Sequence, residues 1–129
     1  MNKYYSIKSF ADLDTFKEKT NALHDGYIIA VEYRNNGIKI SGDVYEFNPE
    51  LEHLIIRVLI TSIQNAVLEM VFESVLEWKI TKTQSDILEV AVCFNDNGFL
   101  VLTDDATNLE NFIDNDSYVI AKKMKWRFL

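Results

Sequence analysis

The sequence predicts an α+β fold: an N-terminal helix packed on a curved, mostly antiparallel sheet of six to seven strands. A partly open barrel or a two-layer sandwich is the alternative arrangement of the same strands. Three observations predict the class. Apolar residues recur at helical spacing only between Phe10 and Leu23. Beyond Gly26 the apolar period drops to about two and stays there. Turn signals at Asn35-Asn36-Gly37 and Asn95-Asp96-Asn97-Gly98 then separate alternating runs. With 129 residues, 48% of them hydrophobic, the chain suits one domain over residues 1–129 that buries its own core.

The elements follow in order. Ser9 is a helix N-cap candidate, with Asp12 placed to favour the first turn, and the helix should run to about Asn21. His24-Asp25-Gly26 ends it. Tyr27, Ile29, Val31 and Tyr33 alternate along a first strand, and Ile38 and Ile40 resume the alternation after Asn35-Asn36-Gly37, which reads as a β-hairpin. Residues 54–61 form an apolar strand broken only by Arg57, as expected where both faces are covered. A longer strand spans 68–80, with Ser74-Val75 marking a bulge or bend. Residues 87–94 and 99–102 make a second hairpin. A short helical turn fits 108–113, and a final strand runs over 118–128. On that strand Ile120, Met124, Trp126 and Phe128 are expected to face one way, and Lys123, Lys125 and Arg127 the other, solvated way.

Charge bounds the partners. Twenty acids against thirteen bases give a net charge of −7, which opposes binding to nucleic acid and to anionic lipid surfaces. From Thr83 to Ala121 there is no Lys or Arg, whereas Lys122, Lys123, Lys125 and Arg127 crowd the end. Such segregation suits either an acidic surface for a basic partner or internal pairing between the two segments. A lone Cys93 in an apolar run excludes an internal disulfide and fits a reducing compartment. Residues 1–5 lack the apolar core of a signal peptide, and no apolar run approaches the ~18 residues of a membrane span. The expected location is the cytoplasm.

No motif fixes a reaction. His24-Asp25 joins a proton-transfer base to a metal-binding carboxylate, but His53 is the only other histidine, and Asp25-Gly26 serves equally as a turn. Zinc ligands would need local spacing, and the two His and one Cys lie 29 and 40 residues apart. Asp114-Asn115-Asp116 and Asp96-Asn97-Gly98 resemble calcium-loop fragments, yet neither completes a twelve-residue loop and both read as turns. Asp104-Asp105 is an adjacent acidic pair after a strand, better suited to a turn than to glycosidic acid–base work. Trp126 between Lys125 and Arg127 is expected to anchor the core. No catalytic residue, metal or cofactor is expected.

The run Leu23-His24-Asp25-Gly26-Tyr27-Ile28-Ile29-Ala30-Val31-Glu32-Tyr33, with Met124-Lys125-Trp126-Arg127-Phe128 at the end, resembles a loose set of small bacterial domains. Some of these are assigned as immunity proteins of polymorphic toxin systems. The resemblance implies a non-enzymatic, cytosolic domain that blocks a toxin by covering its active surface. Toxin nucleases carry basic surfaces to hold phosphate, so an acidic inhibitor meets them quickly and matches their potential. The residues expected to meet such a basic protein are Asp104, Asp105, Glu110, Asp114 and Asp116, with Glu69, Glu73 and Glu77 as a second acidic face. A small-molecule-binding domain or minor enzyme with a pocket in the curved sheet is the alternative. A homodimer subunit joined through sheet edges or apolar faces is a third reading.

Overall fold

The computed structural model describes residues 3–81, 86, 87 and 89–129. Met1 and Asn2, Lys82 to Ser85, and Leu88 within the expected strand 87–94, lie outside the described residues. The architecture is one helix on a mostly antiparallel sheet of seven strands, an α+β fold. Strand β1 (Tyr5–Ile7) precedes helix α1 (Phe10–Lys19). Then come β2 (Gly26–Asn35), β3 (Ile38–Ser41), β4 (Val44–Phe47), β5 (Glu52–Ile60), β6 (Ala66–Ile80), β7 (Ala91–Phe94), β8 (Leu100–Thr103) and β9 (Ser117–Phe128). The main sheet runs β2-β5-β6-β9-β8-β7, with β1 pairing on β9. Strands β3 and β4 form a separate two-stranded sheet.

Ser9 caps α1, its Oγ accepting from the Asp12 amide at 3.2 Å. Helix α1 ends at Lys19, two residues before the expected end, because Asn21, Ala22 and Leu23 all take positive φ near 50°. That left-handed turn drops Leu23 into the core and brings the Ala22 carbonyl to the Val90 amide at 2.9 Å. The core lies where α1 packs on the sheet. Leu13 and Phe16 of α1 meet Leu54, Ile56 and Val58 of β5, Leu68, Met70 and Phe72 of β6, and Met124 and Trp126 of β9 in one cluster. Phe16 packs edge-on against Trp126, ring centroids 5.5 Å apart. At one end the sheet begins to close on itself: Gly26 bridges Ile87, with the Ile87 amide donating to the Gly26 carbonyl at 2.8 Å.

Three expectations are corrected. Asn35-Asn36-Gly37 does not turn a hairpin: β2 pairs with β5, and the hairpin lies one step later, β3 with β4. Its turn is Gly42-Asp43, with Gly42 at φ +60°, a conformation glycine adopts without penalty. Gly37 answers a different need, since a Cβ there would lie 2.1 Å from the Asn48 carbonyl oxygen. On β9 it is Val119 and Ala121, not Ile120, that are buried with Met124 and Trp126. The facing reverses across Lys122-Lys123, opposite the point where Ser74 of β6 takes φ 53° and the register shifts between Val75 and Glu77. Finally, the basic face of β9 is not simply solvated. Lys125 pairs with Glu73 at 3.2 Å and Arg127 with Glu69 at 3.0 Å.

Candidate functional site

The acidic stretch after β8 forms a loop that returns to β9, and the chain on either side of β7 sets its position. The Asp104 amide donates to the Ser117 carbonyl at 3.1 Å, and the Ala106 amide donates to the Glu89 carbonyl at 3.1 Å. The second bond lays the segment before β7 beside the loop, so Glu89 bridges Asp105. An open cleft of about 470 Å3 results, lined by His24, Asp86, Glu89, Asp104, Asp105 and Asp116 among others. No Lys or Arg is among the described residues of that lining. Sequence separation hid this: Glu89 joins the cleft by pairing with Asp105, 16 positions away, and Asp86 precedes Ile87, which pairs with Gly26, 61 positions away.

Each carboxylate has its own environment. Burial raises the Asp104 carboxyl above its ordinary value; the Ser117 amide donating to Oδ1 at 3.2 Å opposes this, while the charges of Asp116 and Asp105 add to it. Asp105 is held below its ordinary value because Oδ1 accepts from the Thr107 hydroxyl at 2.6 Å and the Thr107 amide at 2.9 Å. Asp116 is exposed at the rim. Glu110 and Asp114 are exposed on the same loop but do not line the cleft.

Asn115, which by sequence alone reads as part of a turn, holds this loop together. It is buried, with its amide nitrogen donating to Thr103 Oγ1 at 2.6 Å, to the Asn108 carbonyl at 3.2 Å and to the Asp105 carbonyl at 3.3 Å. Its own side-chain oxygen accepts from Asn108 Nδ2 at 3.0 Å, and Lys79 Nζ donates to its backbone carbonyl at 2.9 Å. The signal available in sequence was a lone amide between two aspartates, which only tertiary contacts distinguish from a solvated turn.

The second acidic face is not a free surface. Glu69 is 3% exposed, with Arg57 Nη2 at 2.9 Å, Arg127 Nε at 3.0 Å and the Tyr4 hydroxyl donating to Oε1. Tyr4 also lies under Arg127, 4.3 Å from its ring centroid. Burial alone would raise the Glu69 carboxyl; hydrogen bonds from Tyr4 and Arg57, with the charge and hydrogen bond of Arg127, outweigh it and hold the group below its ordinary value. Glu73 is half-buried against Lys125, and Glu77, though exposed, accepts from the Tyr118 hydroxyl at 2.7 Å. Cross-strand register explains the change, since Arg57, Glu69 and Arg127 are direct neighbours on β5, β6 and β9.

No family model, no curated protein and no solved structure matches this chain. His24 and Asp25 approach to 3.5 Å, with Asp25 at φ 57° turning the chain into β2. Among the described residues no group of three or more His, Cys, Asp and Glu side chains is arranged to hold a metal ion. Burial pushes the Cys93 thiol up, which leaves it a weak nucleophile. Between Leu23, Ile56, Met70, Val90 and Val119 the core leaves an interior space of about 20 Å3. That is room for roughly one water, far below the ~300 Å3 a small-molecule pocket needs. Among the described residues no helix is long and apolar enough to cross a membrane.

Proposed function

We propose that this chain is a non-catalytic interaction domain that receives a basic protein in its acidic cleft. The observation that carries the proposal is the convergence of Asp86, Glu89, Asp104, Asp105 and Asp116 on one open concavity. Carboxylates spread over such a cleft, without chelating geometry, suit guanidinium and ammonium groups presented on a protein surface. A net charge of −7 extends the same potential outward and speeds encounter with a cationic partner. The burial of Asn115 keeps the loop ordered before binding, so little ordering entropy opposes association.

The inhibitor form of this reading follows the resemblance of residues 23–33 and 124–128 to immunity-type domains. On that form the partner is a toxin nuclease whose phosphate-binding surface is covered, and the chain contributes no catalytic group and no cofactor.

The test is a pull-down with the full chain in about 50 mM and about 500 mM salt, a contrast that spans the screening range. A parallel bait carries Glu89→Lys and Asp116→Lys, both exposed positions. A stoichiometric basic protein retained by the wild type only at low salt, and lost by the variant, is the expected result. Equal capture by both baits, or no partner at either salt, overturns the proposal.

A further inference from the structure

The β3–β4 hairpin stands apart from the core. All eight of its strand residues are exposed, and neither strand pairs with the seven-stranded sheet. Register places Ile38 opposite Phe47 and Ile40 opposite Tyr45, so these four apolar side chains share one face, while Lys39 and Glu46 share the other. Their exposures are 57%, 52%, 63% and 73%. An isolated two-stranded hairpin is marginal in water, and one with a bare apolar face gains nothing from remaining uncovered. At the same end of the molecule Tyr33 of β2 stacks on Trp78 of β6, centroids 6.1 Å apart, and both rings are about two-fifths exposed.

We infer that this end of the molecule is a self-association surface whose occupant is a second copy of the chain. Two features argue for a copy rather than a charged partner. The four facing side chains are uncharged, and Lys39 and Glu46 on the other face offset one another, so the patch sets up little repulsion between two copies and offers a charged partner nothing to pair with. The area also suffices: given those exposures, the six side chains present on the order of 800 Å2, about one partner's share of a standard interface. A two-fold arrangement uses the same patch twice, so the hairpin face and the Tyr33–Trp78 pair on each copy are covered together. The acidic cleft lies on different elements and takes no part.

The test is sedimentation velocity of the full chain from about 1 to 100 μM, in about 150 mM and 500 mM salt. Mass should rise from 15.0 kDa toward twice that value, and an apolar contact should persist at the higher salt. Ile40→Lys with Tyr45→Lys should weaken dimerisation at least tenfold while far-UV circular dichroism stays unchanged. Trp78 emission supplies a second readout, shifting to the red on dilution of the wild type and losing that shift in Trp78→Phe. A wild type that stays monomeric at about 100 μM overturns the inference. So does a hairpin variant that dimerises as the wild type does. The Glu89→Lys, Asp116→Lys variant should dimerise normally, which separates this surface from the acidic cleft.

Discussion

Glu69 illustrates how a single residue changes role once its neighbours are known. A carboxylate read from sequence as part of an outward acidic face is instead the centre of a buried cluster with Arg57, Arg127 and Tyr4. Glu69→Gln should cost about 2 kcal/mol at pH 7, measured by urea unfolding, because two guanidinium groups lose their counter-charge. The pH dependence has a definite sign. The folded-state pKa of Glu69 lies below the ordinary 4.5, so its stabilisation is complete above that value and is lost as pH falls through the lower folded value. The Gln variant should accordingly lose stability less steeply than the wild type below about pH 4.5. Asp104 behaves oppositely. Its raised pKa means that ionisation opposes folding at neutral pH and that acid relieves the penalty as pH falls through the raised value. Asp104→Asn should therefore be about 0.5 kcal/mol more stable at pH 7 by urea unfolding, yet bind a basic partner less well. A functional surface that is not optimal for stability is the expected pattern at a binding site.

At the scale of elements, helix α1 and the turn after it carry the most testable physics. Phe16 is fully buried against Trp126, so Phe16→Ala should cost about 3–5 kcal/mol in denaturant unfolding. Ala22 sits at φ 50° between two other left-handed residues, and Ala22→Gly should stabilise the chain by about 1 kcal/mol in the same assay. Helix α1 was legible because cap and apolar spacing both act within a few residues. The pairing of β2 was not. Asn35-Asn36-Gly37 carries a turn signature, but the choice between β3 and β5 as partner of β2 depends on which strand presents an apolar face to the core. Val31 and Tyr33 lie opposite Ile56 and Leu54, whereas β3 has no core to offer. Strand β4 and the short β1 were missed for the same reason, since exposed or three-residue strands leave little periodic signal.

Over the whole molecule, charge is sorted rather than mixed. Among the described residues the basic end of the chain pairs with Glu50, Glu69 and Glu73, not with the acidic stretch before it, and five acids of that stretch, Asp86, Glu89, Asp104, Asp105 and Asp116, line a cleft. Because helix, sheet and the segment around Ile87 share one apolar cluster, unfolding should be a single cooperative transition. Far-UV circular dichroism and the emission of Trp126, read in a Trp78→Phe background, should give coincident midpoints. Separate midpoints would show that α1 leaves the sheet independently.

The sequence by itself determined the α+β class, the N-cap at Ser9, the β7–β8 hairpin, the break at Ser74 and the absence of a charge balance suited to nucleic acid. These depend on local backbone preference and on composition, both of which survive without knowledge of the fold. Only the tertiary structure decided which acids are free, that Asp86 and Glu89 join Asp104, Asp105 and Asp116, and that Asn115 is buried beneath them. It also left the β3–β4 hairpin without a covering layer. Those outcomes follow from strand order and register, which bring together residues that no periodicity links. Whether a carboxylate is a docking group or a buried counter-charge is then set by what lies one strand away.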